Sequence, residues 1–290
     1  MALVVGGLGG VQSLRAAPRW HSQQPSPTWH AVETANFRIL SFGASPVDSQ
    51  TAQSCEAMRA SLAKRWLGGG VSTRWSPKCE LVLHPSEQAY LREVGPAGAR
   101  TVGSSLINRQ AGRISGRRID IGSTKTDWRT AALAHELAHL ILADRFGEET
   151  LSRWVDEGVA ILADTAEKQG RHRADLQDAF ARRGTFRILE LLSLSEYPSA
   201  AHWGTFYGQS ASLVAYLVGQ GGEERFIEFV QASFDDGYER GLRRFYGFGI
   251  AELERRWQLH LTGQSSDALA QQAGRHRSAA QSILPTLLEN

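Results

Sequence analysis

Two histidines and a glutamate stand at a spacing that can bind a metal ion and activate water. Residues 134–140 read A-H-E-L-A-H-L and contain the pattern H-E-x-x-H. Residues four apart lie on one face of a helix, so His135 and His139 can both reach one ion. Glu136 then lies beside any water that the ion holds. The pattern predicts a zinc site on a helix.

A catalytic zinc site usually has three protein ligands and one open position, so a third ligand should follow. Glu157 comes 17 residues after His139, within the stretch W-V-D-E-G-V-A at residues 154–160. A helix there can pack antiparallel to the first and direct its carboxylate at the metal. Leu142 and Arg145 occupy the positions where H-E-x-x-H-x-x-G-x-x-H enzymes carry a glycine and a third histidine. Glu157 is therefore the predicted third ligand.

Each of these residues also has a purely structural interpretation. The two histidines can be a buried, hydrogen-bonded pair on a core helix, and Asp156 and Glu157 can stabilise a helix N-terminus. Asp144 lies five residues after His139 and should point away from a metal. Asp164 follows Glu157 by seven residues on the same helical face. It either orients a ligating histidine or is a solvated helix residue.

Alternating and helical hydrophobic patterns indicate the elements that must position these side chains. Strands are expected at 29–40, 79–83, 101–108 and 114–121, and helices at 48–66, 86–95 and 126–145. The connection at 109–113 contains a glycine and predicts a hairpin, and Thr126 or Asp127 should cap the helix that carries the histidines. Ile119-Asp120-Ile121 should lie near the metal as an edge strand for an extended substrate.

The chain beyond Gly147 is predicted to be almost wholly helical. Helices are expected at 155–169, 174–183, 205–219, 222–234, 237–245 and 249–262. The predicted fold is α+β: a small mixed sheet with a hairpin edge strand packed on the H-E-x-x-H helix, followed by a mostly helical C-terminal half. Its predicted parts are a leader and linker at 1–28, an α+β part at 29–125, a helical zinc-binding part at 126–263 and a loose tail at 264–290.

The composition is that of an ordinary soluble protein. The 290 residues are 42% hydrophobic with a formal net charge of +2, which is too small to favour nucleic acid as a partner. No apolar run has the length of a membrane-spanning helix. Residues 1–14 are apolar but lack a basic start. A disordered leader and a cytoplasmic location are therefore favoured, with export to the periplasm as the alternative. Cys55 and Cys79 allow either one bridge or two buried thiols.

The metal-binding segments resemble a known group of enzymes. H-E-x-x-H at residues 135–139, followed by W-x-D-E-G-x-A at 154–160, is similar to the gluzincin metallopeptidases, which include thermolysin and the aminopeptidase-N type. Residues 206–214 and 253–257 resemble compact bacterial peptidase-MA-like domains, and the resemblance covers roughly 100–262. The G-x-M-E-N segment with which aminopeptidases recognise substrate N-termini is missing from the sequence.

The resemblance implies a mechanism. Zinc would be held by the three predicted ligands, and Glu136 would act as a general base on the attacking water and return the proton to the leaving amine. In gluzincins the oxyanion donor is often a tyrosine or histidine after the third ligand. Tyr207 is the first choice here and His202 the second, although Tyr207 can also be a core residue.

Two functions follow from these observations. The first is a zinc metallopeptidase of endopeptidase type that acts on a peptide or protein substrate. The alternative is a catalytically inactive, gluzincin-like zinc-binding protein that serves as a protein-interaction module. The intact Glu136 favours the first, because a non-catalytic scaffold has no need of that carboxylate beside the ion.

Overall fold

The computed structural model describes residues 28–43, 46–68, 74–122, 128, 132–147 and 149–263. The predicted leader lies outside these ranges except for Thr28, and the predicted tail at 264–290 lies entirely outside them. The two proposed helix caps, Thr126 and Asp127, also lie outside. Within the described ranges, none of the helices combines the length and hydropathy that crossing a bilayer requires.

Five strands form one mixed sheet. They are β1 (Thr28–Glu33), β2 (Phe37–Gly43), β3 (Cys79–Leu83), β4 (Gly103–Gln110) and β5 (Arg113–Ile121). Their order is β1-β2-β3-β5-β4; the β2–β3 and β3–β5 pairs are parallel, whereas the two outer pairs are antiparallel. The α+β fold with a mixed sheet and a hairpin at its edge is thus confirmed.

The first strand predicted at 29–40 is wrong, because the chain reverses there to form the β1–β2 hairpin. Glu56 accounts for the turn. Its carboxylate accepts hydrogen bonds from the Thr34 hydroxyl at 2.6 Å, the Asn36 amide at 2.7 Å and the Asn36 side chain at 2.6 Å. A turn held by a residue 20 positions away has no local sequence signal.

The predicted edge strand is also wrong. Ile119-Asp120-Ile121 belongs to β5, which pairs with β3 on one side and β4 on the other, so β4 forms the edge. Buried Asp120 accepts hydrogen bonds from His84 Nε2 at 2.7 Å and from two nitrogens of Arg118 at 2.8 and 2.9 Å. Which hairpin strand joins β3 depends on tertiary packing and not on local alternation.

Eight helices are described. They are α1 (Ser49–Leu67), α2 (Glu87–Val94), α3 (Ala134–Phe146), α4 (Arg153–Ala163), α5 (Ala166–Ala181), α6 (Ile188–Ser193), α7 (Trp203–Tyr246) and α8 (Ile250–Gly263). Gly222 and Gly237 interrupt α7 with φ angles of +83° and +73°, near the ends of the three predicted helices. The helix predicted at 155–169 is two helices, because the chain turns at Asp164.

A continuous hydrophobic core joins the sheet to the helices. Leu137, Leu140 and Ile141 of α3 are buried in it, together with Ile119 of the sheet and Trp154 of α4. Helix α3 packs against α1, α4 and β4, and α4 packs against α7. The core thus contains side chains from both predicted parts, 29–125 and 126–263, and that division stays a prediction.

Candidate metal centre

The three predicted ligands come together between α3 and α4. The rings of His135 and His139 have centroids 4.9 Å apart on one face of α3. Glu157 lies on α4, with its Oε2 atom 3.6 Å from His135 Nε2. One ligand atom from each of the three residues lies within 4.8 Å of the others. Two imidazoles and a carboxylate at this separation can bind one divalent cation.

A glycine allows α4 to lie close enough to the neighbouring α7. A Cβ atom at Gly158 would come within 2.5 Å of Val214 Cγ2 and 2.7 Å of the Ser210 carbonyl oxygen, both on α7. A larger residue would push α4 away. Glu157 precedes this glycine, so the contact helps to set its position relative to α3.

Each histidine forms a hydrogen bond from one ring nitrogen to the carboxylate of an aspartate. His135 Nδ1 lies 3.1 Å from Asp164 Oδ2, and His139 Nδ1 lies 2.7 Å from Asp156 Oδ1. When Nδ1 donates to the carboxylate, the Nε2 lone pair is available for a metal. Asp164 thus takes the orienting position anticipated for it, whereas the contact of Asp156 with His139 was missed. The sequence suggested only a helix-terminus role for Asp156.

The charges around the ligands favour a cation. Burial opposes protonation of His139, but Asp156 and Glu157 outweigh it and raise the pKa of His139 to about 9. Burial also opposes ionisation of Glu157, yet its hydrogen bond with His135 and the charges of both histidines lower its pKa to about 2. The negative charges that produce both shifts would also favour a divalent cation at this position.

Glu136 lies beside this group without being part of it. The side chain is buried, and it occupies the space next to Gly103 at the start of β4. A Cβ atom on Gly103 would come within 2.9 Å of both Cγ and Oε1 of Glu136. The glycine leaves room for the carboxylate between α3 and the edge of the sheet.

The two candidate oxyanion donors lie in different surroundings. Tyr207 packs on Phe206 and His172, and burial together with the negative charge of Glu157 raises the pKa of its phenol. Its hydroxyl therefore keeps its proton near the third ligand. His202 is exposed, hydrogen bonds with Ser199 at 2.9 Å and packs on Phe186. The structure does not bring His202 to the three ligands.

Tyr197 is a site residue that the sequence did not reveal. Its hydroxyl donates a short hydrogen bond to Glu157 Oε1. It lies in an irregular segment after α6, and 40 residues separate the two partners. Nothing in the surrounding sequence, S-L-S-E-Y-P-S, distinguishes this tyrosine from a surface residue.

The side chain of Asp144 points away from the three candidate ligands, as the sequence predicted. Its carboxylate accepts short hydrogen bonds from Trp75 Nε1 and Arg117. Arg117 also donates to the Pro77 carbonyl at 2.9 Å. These contacts attach the C-terminal end of α3 to the sheet and to the segment before β3.

Comparison with known proteins identifies the family. The sequence pattern of the Peptidase MA superfamily matches residues 114–263, which is more than half of the chain. The chain belongs to the Peptidase MA superfamily. The matched region of this superfamily member contains α3 and α4, and with them all three candidate ligands. Membership supports a zinc peptidase-like function.

Two similar proteins with solved structures are from Deinococcus radiodurans. An M1 zinc metallopeptidase is 18% identical, with a TM-score of 0.39, over 83% of this chain and 52% of its own. An E323A mutant of an M1 zinc metallopeptidase, bound to a Tyr-Ser-Ala substrate, is 16% identical, with a TM-score of 0.43, over 80% and 51%. This chain thus spans about half the length of those structures. The search of curated proteins produced no match.

Proposed function

We propose that this Peptidase MA superfamily member is a zinc-dependent hydrolase of peptide bonds. The observation that carries the proposal is the convergence of His135, His139 and Glu157, with Glu136 next to them but outside the ligand set. This is the arrangement of three protein ligands and a neighbouring base that a hydrolytic zinc site requires.

The residues fit a zinc ion in donor type and in charge. Two imidazole nitrogens and one carboxylate oxygen form the ligand set, and carboxylates on the far side of both rings fix their orientation. Four carboxylates lie around the two imidazoles, and a single lysine, Lys168, pairs with one of them at 3.1 Å. The carboxylates are Glu136, Asp156, Glu157 and Asp164. A divalent cation would balance this excess of negative charge. Bound there, zinc would lower the pKa of water and polarise a peptide carbonyl.

Glu136 is assigned the proton transfers. Its carboxylate accepts the proton of the attacking water at one Oε and later delivers it to the nitrogen of the leaving amine. The Tyr207 hydroxyl is assigned to the oxyanion that develops on the scissile carbonyl. Within the described part of the chain this hydroxyl has no hydrogen-bond partner, so it is available to a substrate.

The edge strand β4 is the proposed docking place for the substrate. An extended peptide can add to the edge of a sheet through main-chain hydrogen bonds. Strand β4 pairs only with β5 among the described strands, and Gly103 at its start touches Glu136. A peptide paired with β4 would therefore pass close to the general base. This replaces the role predicted for Ile119-Asp120-Ile121.

Cleavage of a peptide library tests the proposal. Zinc-loaded protein and its Glu136→Gln variant are incubated with diverse peptides, one half of them acetylated at the N-terminus. We expect cleavage of acetylated peptides, because an endopeptidase does not need a free N-terminus, and a loss of about 10²–10⁴-fold in kcat in the variant. Zinc binding without cleavage by either protein would contradict the proposal and favour the protein-interaction module.

A further inference from the structure

We propose that Tyr197 positions Glu157 as a ligand and thereby sets the affinity of the site for its metal, while Tyr207 serves the reaction. The inference rests on the proposed zinc site and assigns different tasks to its two tyrosines. Tyr197 is a positioning residue, since it acts on the metal through Glu157.

The two oxygens of Glu157 face different partners. Oε2 is directed at His135, whose Nε2 lies 3.6 Å away, and Oε1 accepts the hydrogen bond from the Tyr197 hydroxyl. Because one oxygen is already bonded to the phenol, the other is presented to the metal. The hydrogen bond also restricts rotation of the buried carboxylate, which keeps Oε2 directed at His135.

The ring of Tyr197 is held from two sides. The Arg153 guanidinium lies 4.8 Å from the ring centroid, and Phe206 packs edge to face with a centroid distance of 6.0 Å. Arg153 begins α4 and Phe206 lies in α7, so both contacts come from the helices that border the site. The hydroxyl is thus supported by a fixed ring although its segment is irregular.

Tyr207 differs from Tyr197 in the state of its hydroxyl. The Tyr197 hydroxyl is occupied by Glu157, whereas that of Tyr207 has no hydrogen-bond partner among the described residues. A hydroxyl that already donates its proton to a metal-binding carboxylate cannot also donate it to the negative oxygen that forms on a substrate. A free donor near the same ligand can do so. Tyr197 is therefore assigned to metal binding and Tyr207 to turnover.

Zinc affinity, measured by competition with a chromophoric chelator, tests the proposal. Tyr197→Phe removes only the hydroxyl and keeps the ring, in a residue that is 41% exposed. We expect its zinc dissociation constant to rise by about 10–100-fold. Tyr216→Phe on α7 is the matched control and should bind zinc like the native protein. Both metal-free variants should keep the native fold, and the thermal midpoint of Tyr197→Phe should fall by no more than the loss of one hydrogen bond explains.

Two further measurements separate this inference from the proposed function. In cobalt-substituted protein, Tyr197→Phe should shift the visible absorption bands, because the geometry of the carboxylate ligand changes, while Tyr207→Phe should leave both the bands and the zinc affinity unchanged. Glu157→Ala should lose most of the zinc. If Glu157→Ala retains its zinc, the proposed metal site is wrong. If Glu157→Ala loses zinc but Tyr197→Phe binds it as tightly as the native protein does, the metal site stands and the role proposed for Tyr197 is overturned.

Discussion

Two histidine–aspartate pairs in this molecule have the same length and different surroundings. His139 Nδ1 lies 2.7 Å from Asp156, and His84 Nε2 lies 2.7 Å from Asp120. Asp120 also receives two hydrogen bonds from Arg118, so its charge is matched by a resident cation. The His84 ring packs against the ring of Tyr90, with centroids 5.9 Å apart.

At the candidate site, Asp156 receives no hydrogen bond from an arginine among the described residues, and the His139 ring packs against His135 instead of a tyrosine. Beyond His139 lie His135 and Glu157, whose ligand atoms converge with its own within 4.8 Å. The Arg153 guanidinium lies 3.9 Å from Asp156, too far for a hydrogen bond. A histidine–aspartate hydrogen bond therefore occurs both in a purely structural pair and at the candidate metal site, and does not by itself identify a metal site. What distinguishes a metal site is the convergence of ligand atoms that have no resident cation between them.

Replacement of the two histidines, one at a time, should give the largest difference between the pairs. His139→Ala should weaken zinc binding by more than the 10–100-fold that loss of a ligand's hydrogen-bonding partner costs, because a ligand itself is lost. His84→Ala should leave zinc binding unchanged and lower the free energy of unfolding by about 1–3 kcal/mol, because it removes a buried hydrogen bond. Metal content after dialysis and urea unfolding measure the two effects. Equal zinc loss in both variants would refute the distinction.

The aspartates provide a smaller effect of the same kind. Asp156→Asn keeps the size of the side chain but weakens the acceptor for His139 Nδ1, so zinc affinity should fall by about 10–100-fold. Asp120→Asn, the matched change in the sheet, should alter stability and leave the metal in place. Chelator competition on both proteins gives the comparison directly. Native zinc affinity in Asp156→Asn would show that Asp156 does not orient the ligand.

Two glycines of the β4–β5 hairpin allow a third comparison, of a position beside Glu136 with one away from it. Gly103→Ala adds a Cβ atom 2.9 Å from Glu136 and should displace the carboxylate, lowering kcat by up to about 100-fold with zinc retained. Gly116→Ala meets the Asn108 side chain, with Nδ2 closest at 3.3 Å and the other atoms at ordinary contact distance, so activity should persist. Kinetics on a peptide substrate decide between them; equal kcat values would mean that Glu136 tolerates the added methyl group.

Local spacing accounts for the parts of the site that the sequence predicted. His135 and His139 lie four residues apart on one face of α3, and Glu157 lies in the second turn of α4, the next apolar helix. Helical spacing places the two histidines together, and the short connection to the next helix identifies the third ligand. The separate helices predicted at 205–219, 222–234 and 237–245 likewise meet close to the breaks at Gly222 and Gly237.

Contacts between distant segments account for the rest. The place of β5 inside the sheet depends on its pairing with β3, and the turn before β2 depends on Glu56. Tyr197 reaches Glu157 from an irregular segment that has no periodicity. Each feature arises from tertiary packing, which competes with local preference and leaves no mark on neighbouring residues.

The separation of 40 residues between Glu157 and Tyr197 gives the site an order of assembly. Synthesis runs from the N-terminus at about 5–20 residues per second, so Tyr197 is added roughly 2 to 8 seconds after Glu157. The nascent chain thus acquires all three ligands before the tyrosine that restrains one of them. Helix α7, whose contact with Gly158 helps to set the position of Glu157, is added after both, so the complete set of contacts around the ligands forms only when the tyrosine is already present.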